Sequence, residues 1–368
     1  DDVIVGAPYN WQDGMDAGRA YIYFGGPGMD STADVSLAGA TAGDRLGWSV
    51  SGAGDVNKDG YDDVVVGAPE NNTGGVYAGR AYIYLGGSVM DNTADVKFVG
   101  TVPYQYLGAS VSDAGDVNND GYADVILGSQ GGDSFGAAIY FGGASMDNVP
   151  DVSFNRTTLG GGFGWSVSGA GDVDNDGCDD VIVGAPLDDT AGDNAGRAYV
   201  YLGGASMDST ADVILTGAAK ADEFGHSVSG AGDLNNDGYD DVLVGAWKND
   251  AGAVDAGRAY IYFGGAKMDS SDDAVLSGSG DYDIFGGSVS DAGDFNNDGY
   301  DDVIVGAENG DSGGPDTGQA YIYYGGANMD SVADIIFKGG ARNDLFGSSV
   351  SGAKDVDNDG YDDVIVGA

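Results

Sequence analysis

The residues with the clearest chemical potential form a nine-residue acidic segment, Asp55 to Asp63, which reads DVNKDGYDD. Oxygen-bearing side chains at positions 1, 3 and 5 alternate with residues that point away, and glycine at position 6 permits a sharp turn. A main-chain carbonyl at position 7 and a carboxylate at position 9 can complete a shell of oxygens. Because Ca²⁺ takes roughly six to eight oxygen ligands and tolerates irregular geometry, the segment predicts a calcium-binding loop.

The segment occurs six times, at intervals of 61 or 56 residues. Positions 1, 5 and 9 are Asp in every copy, and position 3 is Asn or Asp. The predicted ligands, of which the position 7 residues contribute only their carbonyl oxygens, are Asp55, Asn57, Asp59, Tyr61, Asp63, Asp116, Asn118, Asp120, Tyr122, Asp124, Asp172, Asp174, Asp176, Cys178, Asp180, Asp233, Asn235, Asp237, Tyr239, Asp241, Asp294, Asn296, Asp298, Tyr300, Asp302, Asp355, Asp357, Asp359, Tyr361 and Asp363.

Two other interpretations of the segment are weaker. An EF-hand needs a glutamate at position 12 and flanking helices, whereas position 12 of the first copy is Val66, inside a β-branched run. A set of Asn/Asp-Gly turns without metal is the second alternative. Six copies of one ligand set favour about six bound Ca²⁺ ions, and their repetition predicts a structural brace in each repeat.

The composition bounds the class of protein. The 368 residues carry a formal charge of −46, and 57 of the 60 acidic residues are Asp, as expected for turns and metal ligands. Only 14 Lys and Arg are present, which argues against nucleic-acid binding. Six Ca²⁺ ions would still leave a charge of about −34, which favours an extracellular or cell-surface setting where salt screens the repulsion.

Each repeat predicts four strands around the acidic loop. A strand rich in Gly, Ser and Ala (46–53 in the first copy) precedes the loop, and an apolar strand (63–68) follows it. A third strand (79–87) and a short edge strand (94–98) complete the repeat, and no window has helical periodicity. Four-stranded sheets repeated at this period predict an all-β fold, a β-propeller that forms a single domain over 1–368, with the small-residue strand innermost.

The number of blades depends on how the ends combine. The C-terminus supplies strands one and two, and the N-terminus supplies strands two to four. Joining them gives six blades with one spare copy of strand two. Seven blades need 28 strands against the 25 counted, so we predict six and keep seven as the alternative. Because the chain starts inside a repeat, without a signal peptide or membrane segment, we expect it to be an excerpt of a longer chain.

Two short motifs carry a resemblance to a known repeat. Phe-Gly or Leu-Gly precedes the first strand, and Gly-Ala-Pro follows the second at 6–8, 67–69 and 184–186. Together with the acidic loop, they resemble the FG-GAP repeat over essentially the whole chain, although the sequence departs from the motif at Gly128-Ser129, Ala246-Trp247 and Ala307-Glu308, where Pro is replaced. FG-GAP repeats build the propeller of integrin alpha subunits and of many bacterial surface proteins. The resemblance implies a calcium-binding adhesion module whose variable face meets protein partners.

The loops at the two ends of the strands differ in variability. The acidic loops and the constant Met-Asp turns are expected on one face, and loops that vary between repeats are expected on the other. Aromatic and basic residues on loops over a rigid scaffold are typical of a recognition surface. The alternative is that they merely cover the scaffold. They are Tyr9, Trp11, Tyr77, Tyr104, Tyr106, Phe135, Arg156, Lys220, Trp247, Tyr282 and Arg342.

One position inside the constant Phe/Leu-Gly-x-Ser-Val motif also varies. Its occupants are Trp48, Ala109, Trp165, His226, Gly287 and Ser348. If this position lines the central opening, Trp48, Trp165 and His226 could stack on a sugar or peptide. The alternative, which we favour slightly, is variable packing between blades.

The sequence is compatible with three functions. The first is an extracellular calcium-binding propeller that recognises protein or glycan partners, without direct membrane insertion. The second is a structural module that contacts other domains of a larger surface or filament assembly. The third is a polysaccharide hydrolase or lyase that uses the central pocket. We predict no enzyme and no catalytic residues, because nearly every Asp has repeat equivalents explained by calcium or turns, and neither Cys178 nor His226 has a catalytic partner in its motif.

Overall fold

The fold is built from β-strands alone. The computed structural model describes residues 1–131, 136–155, 160–311 and 316–368, and every regular element within these ranges is a strand. In this part of the chain there is accordingly no helix capable of crossing a bilayer. The prediction of an all-β protein is confirmed.

The 25 strands of the described residues form seven antiparallel sheets, which we call blades 1 to 7 in chain order. Blade 1 has three strands: β1 (Val3–Ala7), β2 (Arg19–Tyr23) and β3 (Val35–Ala38). Blade 2 comprises β4 (Val50–Gly54), β5 (Asp63–Ala68), β6 (Arg80–Tyr84) and β7 (Val96–Val99). Blade 3 comprises β8 (Leu107–Gly115), β9 (Asp124–Ser129), β10 (Ala137–Tyr140) and β11 (Val152–Phe154).

Blades 4 to 6 repeat the same plan and blade 7 is short. Blade 4 comprises β12 (Val167–Gly171), β13 (Asp180–Ala185), β14 (Arg197–Tyr201) and β15 (Val213–Thr216). Blade 5 comprises β16 (Ser227–Gly232), β17 (Asp241–Ala246), β18 (Arg258–Tyr262) and β19 (Ala274–Ser277). Blade 6 comprises β20 (Phe285–Gly293), β21 (Asp302–Ala307), β22 (Gln319–Tyr323) and β23 (Ile335–Lys338), and blade 7 has only β24 (Ser349–Lys354) and β25 (Asp363–Gly367).

The preference for six blades is wrong, and the alternative of seven agrees with the sheets. Between blades 2 and 3, the Gly143 amide donates to the Val56 carbonyl at 2.7 Å, and the Gly26 amide makes the matching contact with Val356 at 2.6 Å. Blades 7 and 1 are therefore neighbours in the ring. They cannot merge into one sheet because β1 and β25 are two copies of the same strand and require the same place in a blade.

Apolar residues pack mainly between blades. The Phe154 ring of blade 3 lies 4.1 Å from the Tyr201 ring of blade 4, measured between centroids, and both side chains are buried. In blades 2 to 6 the second strand, such as β5, pairs on both sides and is almost entirely buried, as its continuous apolar sequence predicts. This stacking fixes the two strand ends where the acidic loops and the variable loops lie.

Candidate calcium loops and the opposite face

Each acidic loop is folded by its own carboxylates. In the first loop the Asp55 carboxylate accepts hydrogen bonds from the amides of Asp59 (3.0 Å) and Gly60 (2.8 Å), and Asp59 accepts one from the Tyr61 amide (3.0 Å). The same three bonds recur in the five other loops. The side chains at positions 1 and 5 are thereby turned inward over the loop.

Two loop positions have left-handed backbone conformations. Glycine at position 6 has φ near +90° in all six loops, for example 91° at Gly60. Position 4 is also left-handed, at 62° for Lys58 and 55° to 61° for the asparagines of the other loops. Asparagine tolerates this conformation better than most residues, so its recurrence at position 4 was a readable signal of the loop geometry.

The position 9 carboxylate ties the loop to its own blade. Asp63 is buried, and its two oxygens accept hydrogen bonds from the Val56 amide (3.0 Å) and from the Gly86 amide (2.7 Å) after the third strand. Burial, together with a smaller contribution from the neighbouring acids Asp59 and Asp55, raises the pKa of Asp63 to about 6. Burial likewise raises the pKa to about 7 at the equivalent residues Asp124, Asp180, Asp241 and Asp302.

The hydrogen-bond partners and the spacing of the loop oxygens indicate whether these loops suit a cation. Three position 3 oxygens, the Oδ1 atoms of Asp174, Asn235 and Asn296, are buried without a hydrogen-bond partner among the described residues. One ligand atom from each of Asp172, Asp174 and Asp176 lies within 4.8 Å of the others, and Asp355, Asp357 and Asp363 converge equally closely. A buried unpaired acceptor costs about 1–3 kcal/mol. The all-oxygen set therefore fits Ca²⁺, which would pair these oxygens and offset the repulsion between carboxylates.

Sequence reasoning missed the role of position 8. The carboxylate of Asp240 accepts a hydrogen bond from the Asp172 amide of the preceding loop at 2.8 Å, while the Asp240 amide donates to the Asp172 carbonyl at 3.2 Å. The carboxylates of Asp179, Asp301 and Asp362 make the same contact with the preceding loop. The signal was present, since position 8 is Asp in five loops and Ala123 in one.

Position 4 adds a second link between neighbouring loops. The Asn175 side-chain amide donates to the Gly238 carbonyl of the next loop at 2.7 Å, and Asn236 and Asn297 repeat the contact. Together with the bond from the Ala123 amide to the Asp55 carbonyl at 3.3 Å, these contacts connect the six loops into one hydrogen-bonded belt that runs from blade 2 to blade 7. Cys178 sits in this belt with a buried side chain, and burial raises the pKa of its thiol to about 11, so it stays protonated at neutral pH.

Three of the predicted ligand residues form one cluster, namely Trp247 of the variable loops and Trp165 and His226 of the variable motif position. The His226 ring lies 5.6 Å from the Trp165 ring and 4.7 Å from the Trp247 ring, measured between centroids. Glu223 accepts hydrogen bonds from the Trp247 indole (2.9 Å) and from the Lys248 ammonium (2.7 Å). We call Trp165, Glu223, His226, Trp247 and Lys248 the tryptophan–histidine cluster.

A cavity of about 200 Å³ opens beside this cluster, between blades 5 and 6. His226, Trp247, Glu308 and Ser348 line it. The His226 Nδ1 atom is buried without a hydrogen-bond partner in the described chain, and burial lowers the pKa of this imidazole to about 4. Burial raises the pKa of Glu308. The cavity thus combines an aromatic wall, a neutral imidazole and a carboxyl group.

Trp48 belongs to a second cluster. Its ring lies 6.3 Å from Tyr9 of blade 1, and the Arg45 guanidinium lies over both rings, at 5.0 Å from Tyr9 and 5.5 Å from Trp48. Glu70 forms an ion pair with Arg45 at 2.8 Å. Trp48 is thus in a different cluster from Trp165 and His226. The Tyr9–Trp48 and Trp165–His226 contacts each join consecutive blades, as the packing alternative requires, but Trp48 also remains 41% exposed.

The remaining candidates lie on separate loops. Tyr77 stacks on Tyr106 at 5.7 Å with an interplanar angle of 13°, and Tyr104 lies 5.9 Å from Tyr77. All three tyrosines have positive φ angles, a rare conformation for such bulky residues. Trp11 is 66% exposed, and its indole donates to Asp16 at 2.6 Å. Phe135 and Arg156 lie outside the described residues.

Comparison with known proteins finds the repeat family. The FG-GAP repeat model matches residues 46–84, 163–201, 224–262, 286–323 and 346–368. Over 217 residues the chain is 35% identical to integrin alpha-5 of Xenopus laevis, and over 216 residues it is 34% identical to integrin alpha-8 of Mus musculus. These matches cover 56% and 55% of this chain but only 20% of each relative, so the chain spans about a fifth of their length.

Likeness to solved structures is weak. A rhamnogalacturonan lyase, YesW, has a TM-score of 0.35 and 14% identity, with 87% of this chain and 57% of the lyase covered. The BBS1N chain in complex with ARL6DN has a TM-score of 0.37 and 10% identity, with 75% and 81% covered. Similarity at this level carries no argument about function.

Proposed function

Since the chain is built from FG-GAP repeats and is similar to integrin alpha subunits, we propose that it is a calcium-braced recognition module that works outside the cell or at its surface. Its partner would be a protein or a glycan, bound by the variable-loop face without catalysis. The observation that carries the proposal is the half-exposed tryptophan–histidine cluster, which borders a cavity on an otherwise periodic scaffold.

Calcium is the first part of the proposal. We infer that each loop holds one ion with oxygens from positions 1, 3, 5 and 9 and the carbonyl of position 7, which gives about six ions. The unpaired position 3 oxygens and the raised pKa values at position 9 support this assignment. Bound Ca²⁺ would hold the position 9 carboxylates ionised at neutral pH and stiffen the belt of loops.

Native mass spectrometry and isothermal titration with CaCl₂ test the calcium assignment. About six ions per chain are expected, with magnesium binding more weakly because these loops do not offer six near-octahedral positions. Saturation at zero or one ion would contradict the assignment. Under the same conditions, the Asp237→Ala protein should bind one ion fewer than the wild type.

Recognition at the opposite face is the second part. Aromatic rings with adjacent charges are enriched among residues that dominate binding interfaces. Around His226, the Trp165 and Trp247 rings offer stacking surface, while Glu308 and Ser348 offer polar contacts inside the cavity. Such a mixture suits either a peptide side chain or a sugar ring, and both belong among the tested partners.

The experiment compares the two faces directly. Wild-type protein is screened against a glycan array and a panel of immobilised matrix proteins in CaCl₂, and hits are repeated with Trp165→Ala/Trp247→Ala. Tyr61→Ala/Tyr361→Ala is the matched control, because these rings are 47% and 48% exposed on the calcium-loop face and their carbonyls are kept. Loss of at least tenfold in affinity only in the tryptophan variant supports the proposal. Equal binding by both variants would contradict recognition through this cluster, and binding to no probe by the wild type would favour a structural module.

A further inference from the structure

The cavity beside the tryptophan–histidine cluster coincides with changes at two repeat positions in consecutive blades. The variable position of the Phe/Leu-Gly-x-Ser-Val motif is tryptophan for blades 2 and 4, but it is His226, Gly287 and Ser348 for blades 5, 6 and 7. The last residue of the Gly-Ala-Pro motif is Pro in blades 1, 2 and 4, but it is Trp247 in blade 5 and Glu308 in blade 6. All five of these residues line the cavity of about 200 Å³. Departures from the repeat are therefore concentrated at one place.

Gly287 leaves open the space that a side chain would fill. It does not have a positive φ angle, so the backbone conformation does not require glycine here. A Cβ atom added at Gly287 would lie 3.2 Å from the carbonyl oxygen and 3.3 Å from the Cγ2 atom of Ile284, which is tight but needs only a small shift of Ile284. The equivalent position holds Trp48 and Trp165 in blades that keep all four strands. The opening at Gly287 is therefore not imposed by the geometry of the backbone.

The polar groups that line the cavity lack protein partners. In the described part of the chain the Glu308 carboxyl group has no hydrogen-bond or ion-pair partner, and burial raises its pKa. The His226 imidazole is neutral at pH 7, and its Nδ1 atom is buried without a partner among the same residues. Ser348 adds an exposed hydroxyl group. Since buried polar groups are normally paired, this lining points to a ligand that forms hydrogen bonds.

The charges around the cavity disfavour an ionic ligand. The Lys248 ammonium is paired with Glu223 at 2.7 Å, so it is not free to bind a carboxylate or a sulfate. The formal charge of −46 also repels anions from the whole surface. A cation would be attracted by Glu308, but it would have to share the Trp247 ring with the Lys248 ammonium, which lies 4.5 Å from the ring centroid. An uncharged ligand with several hydroxyl groups avoids both penalties.

The size of the cavity limits the ligand to a single small ring, because sites for drug-sized molecules occupy roughly 300–1,000 Å³. Sugar hydroxyls both donate and accept hydrogen bonds, and the carbon atoms of the sugar ring pack against aromatic side chains. We propose, on the basis of the proposed recognition function, that the cavity binds one uncharged sugar ring at the end of a glycan chain. Glu308 and His226 form hydrogen bonds with its hydroxyl groups, and Trp247 packs against its carbon atoms.

Nuclear magnetic resonance of the indole groups tests this assignment, since the chain has four tryptophans and Trp247 lines the cavity. Isotope-labelled protein in CaCl₂ is titrated with the methyl glycosides of glucose, galactose, mannose and N-acetylglucosamine, and Trp247→Phe assigns the signal. At least one of these sugars should shift the Trp247 signal saturably. Its charged counterpart, glucuronic acid for glucose or glucosamine for N-acetylglucosamine, should bind about tenfold more weakly.

Two outcomes with the wild type would overturn the proposal. One is the absence of a saturable shift with every neutral glycoside. The other is equal or tighter binding of the charged sugars or of N-acetylarginine amide, which would assign the cavity to an ionic group or to a basic side chain of a protein.

Filling the cavity provides the sharpest variant. Gly287→Trp introduces the residue that blades 2 and 4 carry at this position and should abolish the sugar-dependent shift. Gly28→Trp is the matched control, because Gly28 is an exposed glycine with open space around it in the turn after β2, and it should bind like the wild type. Unchanged sugar binding by folded Gly287→Trp protein would overturn the proposal.

Removal of a polar group gives a second test that does not depend on the first. Glu308→Ala should weaken binding of the neutral sugar about tenfold, because it removes a hydrogen-bond partner in a partly buried site. If Gly287→Trp fails to fold, Glu308→Ala decides, and an unchanged affinity would overturn the proposal.

The results also separate this proposal from the broader one. A wild-type protein that binds a matrix protein through the tryptophan–histidine cluster but binds no sugar would overturn the sugar assignment and leave the recognition function standing. A wild-type protein that binds neither would contradict both.

Discussion

The two faces of the ring are built from the same blades but differ in how closely their loops repeat. On the calcium-loop face, one ligand pattern recurs six times with the same internal hydrogen bonds, and neighbouring loops are linked through positions 4 and 8. On the variable face, the same strands end in loops whose aromatic residues form different clusters from blade to blade. Under the proposed function, repetition marks the part that would stabilise the ring, and departure from repetition marks the part proposed for recognition.

Removal of calcium should have the largest effect on the stability of the ring, and this effect should arise at the loop face alone. In excess chelator the melting temperature should fall sharply, because each site held at about a hundredfold its Kd stabilises the native state by about 2.7 kcal/mol. Differential scanning calorimetry with CaCl₂, MgCl₂ or EGTA measures the shift. An unchanged melting temperature would show that hydrogen bonds alone hold the belt of loops.

Substitutions within blade 5 should separate the two faces. Asp237→Ala removes a position 5 ligand and should lower stability in CaCl₂ by roughly 2–3 kcal/mol, the contribution of one well-occupied site. Trp247→Ala, on the opposite face of the same blade, should leave the number of bound ions unchanged. Urea unfolding in CaCl₂ and in EGTA tests this, and the cost of Asp237→Ala should shrink in EGTA. A cost of the same size in both buffers would assign Asp237 to loop folding alone.

The link between loops should contribute independently of calcium. Asp240→Ala leaves the Asp172 amide of the preceding loop without its carboxylate partner and should cost about 1–2 kcal/mol. Asp272→Ala, an exposed acid away from the belt, is the charge-matched control. Urea unfolding should give the same difference with and without calcium, and a difference that appears only in CaCl₂ would instead make Asp240 a contributor to the metal site.

The smallest expected effect concerns His226 on the variable face. Its folded pKa is lowered to about 4 by burial, so the unfolded chain binds the proton first as pH falls below about 6.5. The native state is therefore penalised progressively between pH 6.5 and 4. Between pH 7 and pH 5.5 the wild type should lose about 1 kcal/mol more stability than His226→Gln, since the acids common to both proteins cancel in the difference. Parallel loss in both proteins would place His226 in water.

Much of the fold was predictable because the repeat imposes it. The apolar strand 63–68 was predicted to the residue, since a buried strand between two others reads as a continuous apolar run. The inner strand was predicted at 46–53 but observed at Val50–Gly54, because a turn at 47–49 precedes it; in blade 3 the equivalent segment belongs to the strand, and β8 begins at Leu107. Strand ends depend on such local turns and are harder to predict than strand identity.

The candidate sites could be predicted from the sequence to different extents. Ligand positions of the loops follow from residue type and spacing, and loop hydrogen bonds place these side chains as expected, although binding itself stays a prediction. Pairing of Trp165 with His226 was anticipated from their shared motif position. The contact between Trp247 and His226 was not anticipated, because Trp247 follows a different strand and reaches the cluster only through the arrangement of the strands within the blade.

By itself the sequence determined the all-β repeat, the order of strands within a blade and the six acidic loops, because each depends on local residue type and on a period of about sixty residues. Only the tertiary structure decided that there are seven blades and that carboxylates at position 8 join one loop to the next. It also decided which aromatic rings meet. These features arise from contacts between blades whose partners are distant in the chain, so even a recurring residue such as the position 8 Asp does not reveal by itself which loop it contacts.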